Sequence, residues 1–114
     1  MPYKPNILVI CGKNKRRSRT AEYLFKNDSR FHIRSAGLSS KSNRKISEQD
    51  LHWADLVMVM EQEHRAKIRE IYSFLELPAI QVLDIEDEYD FLDEELIEIL
   101  QVKMEETLKT VFKL

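Results

Sequence analysis

Residues 7–28 read ILVICGKNKRRSRTAEYLFKND, and this stretch decides the fold. Its first four residues form an apolar run that is typical of a buried strand in a parallel sheet. Apolar side chains return at helical spacing at Ala21, Leu24 and Phe25. They predict a helix of about ten residues that begins near Ser18 and runs to residues 27–28. The order is therefore strand, basic loop, helix.

The rest of the chain repeats this alternation. Weak alternation of apolar and polar residues predicts a strand at residues 31–35, and short apolar runs predict strands at residues 56–60 and 79–83. Ser47 and Asp50 approximate a capping pattern for a short helix through Trp53, and longer helices are predicted over residues 61–72 and from residue 91 to the end. We therefore expect one compact domain over residues 1–114 with a three-layer α/β fold. A four-stranded, mostly parallel sheet would carry helices on both faces.

Composition limits the classes of protein to which the chain can belong. With 43% hydrophobic and 33% charged residues, it is typical of a globular domain. Its longest apolar runs, residues 7–11 and 56–60, are far shorter than the roughly 20 residues of a membrane helix, and the first run is also shorter than the apolar core of a secretory signal. The single cysteine, Cys11, excludes an intrachain disulfide and an all-cysteine zinc site. We expect a cytoplasmic protein without membrane contact.

Charge is divided unevenly along the chain. The first 47 residues hold twelve Lys and Arg against two acidic residues, whereas the remainder holds six against eighteen. This asymmetry predicts a basic surface that meets an anionic ligand, with the acidic half as a solvated flank.

The segment from Cys11 to Ser18 lies between the first strand and the first helix, where a parallel sheet binds its ligands. A loop that leads into a helix directs backbone N–H groups at one point, and the helix dipole favours an anion there. The predicted phosphate-binding residues are Gly12, Lys13, Asn14, Lys15, Arg16, Arg17 and Ser18. Because positive potential also stabilises a thiolate, Cys11 is predicted to be a nucleophile aimed at phosphorus. Arg17 can grip two phosphoryl oxygens, and Ser18 can donate its hydroxyl to the Cys11 sulfur.

The spacing Cys-x5-Arg-Ser after an apolar strand resembles the signature of the low-molecular-weight protein tyrosine phosphatases. Further segments are similar to that family in the same order: Asn14 in the loop, Ala21-Glu22 in the helix, Ser35-Ala36-Gly37, and residues 54–60 with Glu63-His64. The resemblance implies a metal-independent phosphomonoesterase that needs no cofactor and acts through a phosphocysteine. Its partners would be a phosphotyrosine protein or another phosphomonoester as substrate, and inorganic phosphate or vanadate as inhibitors.

The family's acid loop corresponds here to residues 84–89. The resemblance makes Asp87 the general acid, Tyr89 the aromatic residue beside the leaving group, and Ser35 a supporting residue. Asp84 remains the rival for the general acid. The segment between Gly37 and Ser47 is far shorter than in typical members, which leaves the choice between phosphotyrosine and other substrates open. Lys13, Lys15 and Arg16 favour a substrate with additional negative charge.

Two other classes of function remain open. The same loop could serve arsenate reduction, although a chain with one cysteine would need an external thiol. It could also serve a binding module, either a reader of phosphate or an RNA-binding protein that uses the basic half. The histidines, His32, His52 and His64, lack metal-ligand spacing and are predicted to be structural or on the surface. Trp53, Met58 and Met60 are predicted core residues.

Overall fold

The computed structural model describes residues 4–114, so residues 1–3 of the predicted domain lie outside the described part. The strands are β1 (Asn6–Cys11), β2 (His32–Gly37), β3 (Leu56–Val59) and β4 (Ala79–Val82). The helices are α1 (Arg17–Phe25), α2 (Glu48–Trp53), α3 (Gln62–Ile71) and α4 (Glu94–Phe112). Strands and helices alternate throughout, as predicted.

The four strands form one sheet in the order β2-β1-β3-β4, and every neighbouring pair is parallel. Cys11 lies opposite Gly37 on β2, and Ile10 lies opposite Val59 on β3. The carboxyl ends of the strands therefore meet at one edge of the sheet. The segments that follow β1, β3 and β4 all begin at that edge.

Helices cover both faces of the sheet, and β1 is therefore buried along almost its whole length. Side chains of α1 and α4 pack on one face with Ile7 and Val9, and side chains of α2 and α3 pack on the other with Leu8 and Ile10. Met58 and Met60 are completely buried, and Trp53 is half-buried against the second cluster. The predicted three layers and the two core methionines are confirmed.

The prediction that the last helix begins at residue 91 is wrong, since α4 begins at Glu94. Leu92 has a φ of 62°, in the left-handed region, and cannot continue a helix. Asp93 then caps α4, because its carboxylate accepts the N–H groups of Glu95 and Leu96 at 2.9 and 3.2 Å. Among the described helices, none is both long and apolar enough to span a membrane, including the 19-residue α4.

Candidate active site

The loop between β1 and α1 is shaped by Asn14. Its φ of 52° lies in the left-handed region, which asparagine tolerates better than most residues. The buried Asn14 side chain donates from Nδ2 to the hydroxyls of Ser18 at 2.8 Å and of Ser35 at 2.9 Å. Asn14 therefore fixes the loop from inside, between the first turn of α1 and the middle of β2.

Four successive carbonyls of this loop accept hydrogen bonds from the segment after β2. The pairs are Cys11 with Leu38 N, Gly12 with Ser39 N, Lys13 with Asn43 N, and Asn14 with Asn43 Nδ2, at 2.9–3.3 Å. In a trans peptide the carbonyl and the following N–H point in opposite directions. Because the carbonyls face residues 38–43, the amide groups of the loop turn to the other side and can bind an anion there.

Gly37 allows the loop after β1 and the segment after β2 to approach each other closely. It ends β2 under the loop, and a Cβ at this position would lie 2.8 Å from the backbone nitrogen of Asn14. Any larger residue would therefore displace either the loop or the segment that holds it.

Cys11 ends β1 with its side chain almost buried, and its Sγ lies 3.0 Å from Ser18 Oγ. The Ser18 hydroxyl already accepts from Asn14, so its own proton is available to the sulfur. The Ser35 hydroxyl, which also accepts from Asn14, donates to Glu22 Oε1 at 2.7 Å. The predicted contact between Ser18 and Cys11 is present, and Ser35 supports it through Asn14.

Arg17 begins α1 and is only 4% exposed. Its Nη1 donates to Glu61 Oε2 at 2.9 Å and to the Ile85 carbonyl at 2.7 Å, so the segments after β3 and β4 hold it in place. Within the described part of the chain, no hydrogen bond uses Nε or Nη2 of Arg17. That edge of the guanidinium is the fork that can bind two oxygens of one phosphoryl group.

The segment after β4 brings Asp87 to the same place. Ile85 is buried and donates its N–H to the Met60 carbonyl at 2.9 Å, which anchors the segment to the end of β3. Two residues later, Asp87 has 61% of its side chain exposed and lies 3.7 Å from Arg17 Nε. Asp84 is also exposed, but it does not line the cavity described next.

These residues surround an open cavity of about 340 Å³. It is lined by Cys11, Gly12, Lys13, Lys15, Arg16, Arg17, Glu61, Glu63, His64 and Asp87. Asn14 and Ser18 lie behind this lining and position it. Tyr89 is half-buried against the core cluster formed with α1 and α4 and does not line the cavity, so its role beside a leaving group stays a prediction.

Sequence reasoning missed Glu61 and His64 as site residues. Glu61 binds Arg17, and its N–H donates to Nδ1 of the buried His64 at 3.2 Å. Burial lowers the pKa of His64, and the charge of Arg17 lowers it further, so the ring is neutral near pH 7. The position of Glu61 directly after a predicted strand was the available signal, because the carboxyl ends of neighbouring strands share one edge.

Three side chains at this site could in principle ligate a metal ion: Glu61, Glu63 and His64. One ligand atom from each lies within 4.8 Å of those from the other two. However, Glu61 Oε2 lies 2.9 Å from the Arg17 guanidinium, which repels a second cation. The arrangement fits a bridge between Arg17 and α3 better than a metal site.

Solved structures of three phosphatases superpose on nearly the whole chain. The low molecular weight protein tyrosine phosphatase from Streptococcus pyogenes is 15% identical, with a TM-score of 0.74 over 94% of this chain and 93% of its own. The YwlE arginine phosphatase from Geobacillus stearothermophilus is 21% identical, with a TM-score of 0.70 over 93% and 94%. The tyrosine phosphatase Wzb from Escherichia coli K30, in complex with phosphate, is 19% identical, with a TM-score of 0.71 over 96% and 99%. This chain has the low-molecular-weight phosphatase fold.

The sequence matches no protein-family model and no curated protein. The resemblance that the Cys-x5-Arg-Ser motif indicated is nevertheless confirmed at the level of the fold. In this low-molecular-weight phosphatase fold, the motif occupies the loop from the end of β1 into α1, where Cys11 and Arg17 line one cavity.

Proposed function

We propose that this chain is a cysteine-dependent phosphatase that hydrolyses phosphomonoesters through a phosphocysteine. The observation that carries the proposal is the pairing of two groups in one cavity. Cys11 lies there with its sulfur 3.0 Å from the Ser18 hydroxyl, and Arg17 lines the same cavity with an Nε and Nη2 edge that forms no hydrogen bond in the described part of the chain and has Asp87 3.7 Å from Nε. A nucleophile and a bidentate oxyanion donor are the two groups that phosphoryl transfer to sulfur needs.

The reaction proceeds in two steps. In the first, the Cys11 thiolate attacks phosphorus in line with the ester oxygen, and Asp87 protonates that oxygen as the P–O bond breaks. In the second, Asp87 takes a proton from water, which attacks the phosphocysteine and releases phosphate together with the thiolate. Arg17 and the loop amides stabilise the equatorial oxygens in both steps. The Ser18 hydroxyl stabilises the sulfur as it leaves.

The cavity also supports this function over the alternatives. Arsenate reduction needs a thiol to resolve the arsenylated cysteine, and Cys11 is the only cysteine of the sequence. A phosphate reader has no use for a proton donor, yet Asp87 lines the cavity beside Arg17. Glu61, Glu63 and Asp87 line the same cavity, which disfavours RNA as the primary ligand.

We propose a phosphorylated protein side chain as the substrate class, with inorganic phosphate and vanadate as competitive inhibitors. The YwlE protein is named an arginine phosphatase and Wzb a tyrosine phosphatase, so this fold serves more than one phosphorylated residue. The nucleophile must stay reduced, which fits the cytoplasm.

The test is hydrolysis of phenyl phosphate by the purified protein, measured as the release of inorganic phosphate. Turnover should continue in EDTA and be inhibited by vanadate, because the anion site consists of amides and Arg17. Cys11→Ser should lower kcat by at least about 1,000-fold yet still bind phosphate in calorimetry, since the loop donors remain. Loss of activity in EDTA that a divalent ion restores, or full turnover by Cys11→Ser, would contradict the proposed function.

A further inference from the structure

The uneven charge of the sequence becomes a spatial separation at the edge of the sheet that holds the cavity. In the order β2-β1-β3-β4, the two strands from the basic part of the chain lie on one side. The two strands from the acidic part lie on the other. The cavity around Cys11 lies at the boundary between them, because β1 and β3 are neighbours.

The basic side is formed by the segments that follow β1 and β2, residues 12–16 and 38–47. They contain no acidic residue and carry Lys13, Lys15, Arg16, Lys41, Arg44 and Lys45. Arg44 is already paired with the buried Asp50. The other five are exposed and, within residues 4–114, form no ion pair.

The acidic side is formed by the segments that follow β3 and β4, residues 60–61 and 83–93. They contain no basic residue and carry Glu61, Asp84, Glu86, Asp87, Glu88, Asp90 and Asp93. Glu61 and Asp87 face Arg17, and Asp93 caps α4. The remaining four are exposed and form no ion pair in the described part of the chain.

The dimensions fit a short extended peptide. Four neighbouring strands span about 14 Å at their usual spacing, which is the length of about four residues of extended chain. A phosphorylated residue in the cavity would therefore place its neighbours, two or three positions away in each direction, over the unpaired charges. At physiological salt the screening length is about 8 Å, so each side is recognised separately.

We propose that this edge of the sheet is a bipolar surface that selects phosphorylated protein segments with acidic residues on one side of the phosphorylated residue and basic residues on the other. The inference rests on the proposed phosphatase function and names its substrate class. The acidic flank pairs with Lys13, Lys15, Lys41 and Lys45, and the basic flank pairs with the acidic segment after β4. This refines the expectation of a substrate with additional negative charge, because that charge belongs on one side only.

A nucleic acid fits this surface poorly. Its phosphates would lie along both sides of the cavity, and half of them would face Glu86, Glu88 and Asp90. Among the residues that the structure describes, no phenylalanine, tyrosine or tryptophan ring lines the cavity for a base to stack on.

The experiment compares four synthetic phosphotyrosine peptides of equal length: acidic then basic, basic then acidic, acidic on both sides, and basic on both sides. One of the two bipolar peptides should exceed both single-sign peptides in kcat/KM by about tenfold at low ionic strength, and the ratio should shrink at about 0.5 M salt. Equal values for all four peptides, or a single-sign peptide as the best substrate, would overturn the inference. A 5′-phosphorylated oligonucleotide that exceeds every peptide would overturn it in favour of nucleic acid.

Charge-reversal variants test whether the basic side and the acidic side each contribute to the peptide preference. Lys41→Glu combined with Lys45→Glu should abolish the preference for the bipolar peptide, and Glu86→Lys combined with Asp90→Lys should do the same from the other side. Lys109→Glu, an exposed reversal on α4, is the control and should keep the preference. All variants should hydrolyse phenyl phosphate within about twofold of the wild-type rate. No activity on phenyl phosphate would contradict the proposed function itself, whereas activity without peptide preference would overturn only the bipolar surface.

Discussion

The loops after β1 and β4 both reach the cavity, but they are held very differently. The β1 loop gives four successive carbonyls to residues 38–43, and Asn14 fixes it from inside. The β4 segment is held before Asp87 by the buried Leu83 and Ile85, and after it by Leu92, whose N–H donates to Thr20 Oγ1. Asp87 itself is mostly exposed. The first loop is fixed at successive residues along its length, whereas the second is fixed on either side of an exposed Asp87.

This difference matches two chemical tasks. An oxyanion site is effective when its donors are in place before charge develops, so the loop that binds phosphate must be rigid. A general acid must reach different leaving groups and exchange protons with water, so it can lie on an exposed segment. Arg17 connects the two loops, because its Nη1 donates to the Ile85 carbonyl while its side chain lines the cavity beside Cys11.

The largest change in rate is expected when the proposed general acid on the segment after β4 is replaced. Asp87→Asn should slow phenyl phosphate hydrolysis by about 100- to 10,000-fold, because the departing phenoxide needs a proton. Hydrolysis of a nitrophenyl ester, whose leaving group is weakly basic, should fall far less. Asp84→Asn is the matched control, since Asp84 does not line the cavity, and it should affect both substrates modestly. An exchange of the two profiles would make Asp84 the acid.

The connection between the loops is tested at Arg17. Arg17→Lys should lower kcat/KM by about 100-fold, because lysine can replace neither the bidentate grip on phosphate nor the hydrogen bonds to Glu61 and Ile85 at once. The measurement is steady-state kinetics on phenyl phosphate. A lysine variant with the wild-type kcat/KM would show that Arg17 does not clamp the phosphoryl group.

The smallest effect is expected where the rigid loop meets its support. Gly37→Ala should weaken phosphate binding by about tenfold and lower the free energy of unfolding by about 1–3 kcal/mol, because its Cβ would press on Asn14. Gly12→Ala is the control for stability, since a Cβ there meets nothing within 4 Å. Calorimetry and urea unfolding measure the two quantities. Wild-type phosphate affinity in Gly37→Ala would contradict the idea that the segment after β2 holds the loop.

The rigid part of the site was predictable from sequence, because it is local. The strand, the loop and α1 lie within residues 7–28, and the hydrogen bond from Ser18 to Cys11 joins two residues of the same motif. Helical and strand periodicity likewise indicated the three layers, since both faces of β1 are buried.

The parts that sequence reasoning missed depend on distant contacts. Glu61 joins Arg17 across 44 positions, and no local pattern indicates that pairing. The start of α4 was misplaced because Phe91 and Leu92 continue the apolar period, whereas Leu92 adopts a left-handed conformation that periodicity does not detect. The bracing of the phosphate loop by residues 38–43 was also missed, because that polar segment carries no hydrophobic signal.

The most direct test of the account is detection of the phosphocysteine. The protein is mixed with a nitrophenyl phosphate and quenched within one turnover, and the peptide that contains Cys11 is examined by mass spectrometry. The account predicts one phosphoryl group on Cys11 that disappears as phosphate is released, and none in Cys11→Ser. Turnover without any phosphorylated cysteine, or a phosphoryl group on a different residue, would contradict it.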